Sequence, residues 1–297
     1  DAVQSETGKA RGQAFEEVFQ AASSTRYYAL SARRILAKQS RRGVIPLVVR
    51  THVEYRPKGL IGIVTPWNYP LSLAAMDVVP ALAAGNAVIQ KADDQGALSI
   101  LALRRAFIDA GVPADVWAVV TGPGRVVGNA VNDESDYVCF TGSTATGTQV
   151  GVRAAQALRG VSLELGGKNA MIVLDDVDPA KAAKDVVYAC FSSMGQLCVS
   201  IERIYVERSV AEKFTEEFVA ATNALVQGSA FDFTTDMGSL TLASQLERVD
   251  EHVKDAVAHG ATVLAGGKPR PDLGPLFYEP TVLAGVTDSM KCFGEET

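Results

Sequence analysis

The stretch LIGIVTPWNYPLSLAAMDVVPALAAGNAVIQK, residues 60–91, carries the pattern from which the fold can be read. Leu60–Val64 is a short apolar run stopped by Thr65-Pro66, the mark of a buried strand. Leu71–Ala83 reads as a helix that stops at Gly85-Asn86, and Ala87–Gln90 is the next apolar strand. Strand, helix and strand, with Gly or Pro at each exchange, form the repeating unit of a mostly parallel sheet covered by helices.

The same alternation continues outward. A helix over Leu98–Ala110 closes at Gly111 and Pro113. Strand Val116–Thr121, helix Gly124–Val131, strand Tyr137–Phe140 and helix Ser143–Ala157 follow. Upstream, a long helix over Ala10–Lys38 precedes Val44–Arg50 and Thr51–Arg56, which read as hairpin-like strands. The rhythm restarts after Gly166-Gly167 with strand Ala170–Leu174. Asp178-Pro179 then supplies the N-cap and first residue of a helix reaching Phe191. A loop containing Cys198, strand Arg203–Glu207, helices Ser209–Val226 and Ser244–Ala258, and strand Ala261–Leu264 complete the reading. Two α/β lobes meeting near Gly166 are expected.

Composition narrows the function classes. With 297 residues, 47% of them hydrophobic, a large core is available. The net charge is −6 and no basic block occurs, which argues against nucleic acid or an anionic membrane as partner. Neither a membrane-length apolar run nor a signal pattern is seen. The four cysteines read as reduced thiols of a cytoplasmic protein. The three histidines lack metal-ligand spacing, so no metal site is expected. Both ends break off without a linker or cap, and truncation at both ends is expected.

Two glycine loops compete for a dinucleotide. Gly122-Pro123-Gly124-Arg125-Val126-Val127-Gly128 follows a strand, but its last glycine falls one residue late for the Rossmann fingerprint; a plain tight turn explains it as well. Phe140-Thr141-Gly142-Ser143-Thr144-Ala145-Thr146-Gly147 ends a strand where a helix must start. Its free amides suit a phosphate, and an ordinary N-cap is the alternative. Lys91-Ala92-Asp93-Asp94 lies just past a strand, where ligands bind in open sheets; a solvated turn is again the plainer reading.

Three further patterns occur in order: Pro66-Trp67-Asn68-Tyr69-Pro70, Leu163-Glu164-Leu165-Gly166-Gly167-Lys168 and Gly195-Gln196-Leu197-Cys198. Singly, each has a bland explanation: a lone cysteine is usually core, and a glutamate among leucines a core-edge charge. Together they resemble the aldehyde dehydrogenase superfamily. The likeness runs from Glu6-Thr7-Gly8-Lys9 to Glu295-Glu296-Thr297, and in finer detail is similar to bacterial succinate-semialdehyde dehydrogenases.

The resemblance implies an NAD(P)-binding Rossmann-like domain over 1–166, with oligomerisation strands near 41–57, and the first part of a catalytic domain over 167–297. It implies Cys198 as nucleophile, Asn68 as oxyanion donor and Glu164 as the base that activates water. It places Trp67, Asn68, Lys91, Asp94, Gly124, Gly142, Ser143, Leu165 and Glu296 at NAD or NADP. Asp94 accepts ribose hydroxyls and repels a 2′-phosphate, so NAD is favoured with NADP tolerated. A small aldehyde is the implied substrate, and a homodimer or homotetramer the implied assembly of the whole protein. Low turnover is expected of these residues alone. The alternatives are a CoA-acylating relative, disfavoured by Glu164, and an inactive fragment or non-catalytic nucleotide-binding relative.

Overall fold

The computed structural model describes residues 1–45 and 47–297, which fall into two compact units. One is Glu17–Leu165; the other joins Asp1–Glu16 to Gly166–Thr297. The chain opens with helices α1 (Ala2–Thr7) and α2 (Arg11–Ile35), and the division falls within α2.

The Glu17–Leu165 unit first forms a small antiparallel ladder, β1 (Gln39–Arg41) with β2 (Thr51–Val53). This corrects the expectation of a strand over 44–50. Pro46 lies outside the described residues, and the described part of that run is not extended into a ladder. Val44, Leu47 and Val48 stay exposed, so among the described residues their apolar character finds no layer to pack against.

A five-stranded sheet follows, in the order β5-β4-β3-β6-β7 and parallel at every pairing. Its strands are β3 (Leu60–Val64), β4 (Ala87–Lys91), β5 (Trp117–Val120), β6 (Tyr137–Thr141) and β7 (Gly160–Glu164). The edge strand β7 was not anticipated. Only Val161 and Leu163 are apolar, and Ser162 and Glu164 are exposed. The other strands and their helices match the expected alternation within a few residues.

Register decides which side chains meet. Ile61 pairs with Val88 and Tyr137, and Ile63 with Gln90 and Cys139, so these residues share one face. Helices α3 (Pro70–Ala83) and α4 (Ala97–Asp109) cover that face, burying Ile61, Ile63, Val78, Val88, Ile100 and Trp117 in one cluster. Each such side chain contributes about 1.5–3 kcal/mol. On the other face lie α5 (Asn129–Glu134) and α6 (Thr144–Gln156). A Cβ on Gly62 would come within 2.9 Å of Val131 Cγ1, so glycine here permits the close approach of α5.

The start of α3 has an unexpected cap. Tyr69, its N-cap residue, makes no side-chain capping bond. Instead the wholly buried Glu17 accepts from the amides of Leu71 and Ser72, at 3.0 and 3.1 Å. A carboxylate on the positive end of a helix is stabilised by the free amides there.

In the other unit, β8 (Asn169–Val173) and β9 (Ile201–Val206) pair in parallel through the crossover helix α7 (Pro179–Phe191). Asp178 caps α7 as expected, accepting from Ala180 N at 3.0 Å. Helices α8 (Ala211–Asn223) and α9 (Ala243–Ala258) follow. Then come the antiparallel strands β10 (Thr262–Ala265) and β11 (Val282–Ala284), and a last turn, α10 (Lys291–Gly294). Val173, Val186, Phe214, Phe218 and Val282 form the core of this unit. Among the described residues, no helix is long and apolar enough to cross a membrane.

Candidate active site

In the Glu17–Leu165 unit the candidate residues converge on one edge of the sheet. β3 runs out into Trp67 and Asn68, β4 into Lys91 and Asp94, β5 into the Gly122–Gly128 loop, β6 into Gly142 and Ser143, and β7 into Glu164 and Leu165. All are carboxyl ends of parallel strands, where such sheets bind ligands. A buried polar chain braces that edge. Trp117 Nε1 donates to Gln90 Oε1 at 3.1 Å, and Gln90 Nε2 donates to Thr65 Oγ1 at 3.0 Å.

Local bonds set several of the side chains. Asn68 is half-buried, and its Oδ1 accepts from Tyr69 N at 3.0 Å, which leaves the amide nitrogen as the donor end. Asp94 is exposed, and its Oδ1 accepts from Gly122 N at 3.2 Å, tying the β4 and β5 loops together. Ser143 caps the thirteen-residue α6, its Oγ accepting from Thr146 N at 3.4 Å. Gly142 N donates to Glu164 O at 3.0 Å, so the turn between β6 and α6 and the end of β7 hold each other. Leu165 packs on α6 at Gly147, where a Cβ would overlap Leu165 Cδ2.

Glu164 has a neighbour that sequence reading missed. Asp77, on α3, has its carboxyl pushed up to about 6 by burial and then by the charge of Glu164. Register explains the meeting. Glu164 pairs with Thr141 and Ser162 with Cys139, so Glu164 stands on the face that α3 covers. Cys139 on the same face is half-buried, and burial pushes its thiol up to about 12.

Cys198 lies in the other unit, so the three residues assigned to catalysis are divided between the units. It is exposed, whereas Cys139, Cys190 and Cys292 are half-buried. Burial pushes the Cys190 thiol up to about 12 and raises that of Cys292. The backbone approaching Cys198 is unusual: Ser193, Met194 and Gly195 are successively left-handed, with φ of 49°, 61° and 73°. For the two residues with side chains this costs on the order of 1–3 kcal/mol each and persists only where surroundings enforce it.

The enforcing contacts are visible. Ser193 and Met194 are buried, and Ser200 Oγ donates to Cys190 O at 3.0 Å. Thr241 N donates to Gln196 Oε1 at 3.1 Å, while Thr241 Oγ1 donates to Thr7 O at 2.6 Å. Asn169 Nδ2 donates to both Cys198 O and Ser200 O, at 2.6 and 3.0 Å. Only Gly195 signalled this geometry in the sequence. Glu296, in the same unit, rests against Gly166 and accepts from Gly167 N; burial, then Glu202, raises its carboxyl. Among the described residues, no group of three or more His, Cys, Asp or Glu side chains could hold a metal ion.

Comparison with known proteins identifies the family and the fold. The model of the aldehyde dehydrogenase family matches residues 1–297. A Mycolicibacterium smegmatis protein named "Putative succinate-semialdehyde dehydrogenase (NADP+)" is 51% identical over the whole chain, and the chain spans 57% of its length. Among solved structures, one described as an E. coli NADP-dependent enzyme superposes with a TM-score of 0.95 at 35% identity. It is matched over 99% of this chain and 61% of its own. A Mycobacterium tuberculosis aldehyde dehydrogenase complexed with NAD+ gives 0.93 at 32% identity, over 99% of this chain and 60% of that one. The fold expectation is borne out.

Proposed function

The chain belongs to the aldehyde dehydrogenase family, and we propose that it carries the nucleophile, base and cofactor contacts for oxidising an aldehyde to its acid with NAD(P)+. The single observation that carries this reading is the exposed Cys198 on a strained, multiply hydrogen-bonded loop, in contrast to three half-buried thiols unsuited to attack.

Cys198, as thiolate, attacks the aldehyde carbon and forms a thiohemiacetal. The Asn68 amide and the Cys198 backbone N–H hold the oxyanion; loss of one such donor costs about 3 kcal/mol. Bound NAD(P)+ supplies the hydride acceptor. The thioester left on Cys198 is then hydrolysed by water that Glu164 deprotonates. The fit to a dinucleotide rests on the sheet edge. The first-turn amides of α6 suit the pyrophosphate, with Gly142 and Ser143 beside them. Asp94 and Lys91 suit the adenine ribose, and Gly124 opens on free space where an adenine could lie. Trp67 and Leu165 flank the cofactor path, and Glu296 takes the nicotinamide ribose. In these terms 17–165 is the cofactor unit, and the unit bearing Cys198 is catalytic.

We propose succinate semialdehyde as substrate, supported by the names of the 49–51% identical relatives. Assembly into dimers or tetramers through the strands near 41–57 belongs to the same proposal. Those relatives' names specify NADP+, whereas the Asp94 carboxylate favours NAD+ over a 2′-phosphate. The test is a steady-state panel of aldehydes with both cofactors, with and without CoA, on protein carrying this sequence. Free succinate formed independently of CoA, with kcat/KM higher for NAD+, is expected. A CoA-dependent acyl product would overturn the hydrolytic role of Glu164, and a much higher kcat/KM with NADP+ would overturn the role of Asp94.

A further inference from the structure

The segment Glu295-Glu296-Thr297 is held by a set of buried polar side chains. Thr297 is its hub. Its backbone N donates to Glu202 Oε2 at 2.9 Å, and its Oγ1 accepts from Lys168 Nζ at 3.2 Å. Lys168 also forms an ion pair with Glu202, and the two side chains are only 9% and 14% exposed. His252, 3% exposed, places Nδ1 at 3.0 Å from the same hydroxyl and Nε2 at 3.5 Å from the Glu295 carboxylate.

A lysine from the loop before β8, a glutamate from β9 and a histidine from α9 are thus brought together on one threonine. Burying such groups is costly unless each is paired, so the arrangement is built rather than incidental. The hydrogen-bond pattern is also self-consistent. The hydroxyl accepts from Lys168 and donates to His252 Nδ1, which leaves Nε2–H facing Glu295. Burial lowers the imidazole's proton affinity, which favours that neutral form. Glu296 sits between the two anchored residues. Its carboxylate lies against Gly166, where a Cβ would overlap Glu296 Oε2, and accepts from Gly167 N.

We infer that Thr297 is a positioning residue: held by Glu202, Lys168 and His252, it fixes the Glu296 carboxylate in place for the hydroxyls of a nicotinamide ribose. This rests on the proposed role of Glu296. The carboxylate does not have to be ordered when the ribose arrives, and part of the entropic cost of binding is removed beforehand.

The test compares Thr297→Val, which keeps the shape and removes the hydroxyl, with Thr297→Ser, which keeps the hydroxyl. Binding of NAD+ and of ADP is titrated on each, together with amide hydrogen exchange over Lys291–Thr297. Thr297→Val is expected to weaken NAD+ about five- to tenfold, leave ADP unchanged and speed exchange of the segment, with Thr297→Ser restoring all three. Unchanged exchange, or equal weakening of NAD+ and ADP, overturns the inference. Glu296→Gln separates the two layers of the claim. If it leaves NAD+ affinity unaltered, the ribose role of Glu296 falls. If it weakens NAD+ while Thr297→Val does not, only the positioning role falls.

Discussion

The two glycine loops, Gly122–Gly128 after β5 and Gly142–Gly147 after β6, look alike in sequence and differ in what their glycines do. In the second loop glycine is required by crowding. A Cβ on Gly142 would lie 2.7 Å from Phe140 Cζ, and one on Gly147 would overlap Leu165. In the first loop only Gly122 is constrained, by a φ of +127° and by Val127 Cγ2 at 2.9 Å. A Cβ added to Gly124 or Gly128 would meet nothing within 4 Å. The Rossmann fingerprint therefore says less than its spacing suggests. One loop uses glycine to pack a helix against a strand end. The other uses it to turn once and then leaves open space, which suits the wall of an adenine pocket.

Three substitutions probe this contrast, beginning with the largest effect. Gly142→Ala pushes into the buried ring of Phe140 and should cost about 3 kcal/mol, read as a lower denaturant midpoint. In a Phe140→Leu background the same change should cost less, because the colliding atoms are gone. Gly122→Ala should cost about 1–2 kcal/mol for its positive φ, and should also loosen the bond from its amide to Asp94. Gly124→Ala should shift stability by no more than about 0.5 kcal/mol, yet weaken cofactor binding if the adenine rests there. Crowding at the second loop is refuted if Gly142→Ala proves as mild as Gly124→Ala.

Much of this was legible beforehand, for identifiable reasons. Strands β3, β4 and β6 are apolar runs closed by Thr-Pro, polar or glycine signals, and their buried positions leave few alternatives. β7 is hidden in the sequence because it is an edge strand on which only Val161 and Leu163 are apolar, with Ser162 and Glu164 exposed. The expected strand over 44–50 fails for another reason: apolar character alone does not make a strand where nothing among the described residues covers it. Cys198 and Asn68 are proposed from short motifs whose roles the experiments must test. Glu17, Asp77, Glu202 and His252 could not be, because each acquires its role by contact across tens of residues. The left-handed run at Ser193 and Met194 was equally hidden, since neither residue type announces a positive φ.

Those left-handed residues present the thiol on which the functional account depends, and the direct test is to trap its product. In a Glu164→Gln variant, incubation with aldehyde and NAD(P)+ should stall after hydride transfer, since the thioester lacks its base. Peptide mass spectrometry should then show the acyl group on Cys198, absent without cofactor and absent in Cys198→Ser. Reduced cofactor accumulating over many turnovers with no acyl group on Cys198, or an acyl group on Cys139, Cys190 or Cys292 instead, would contradict the account.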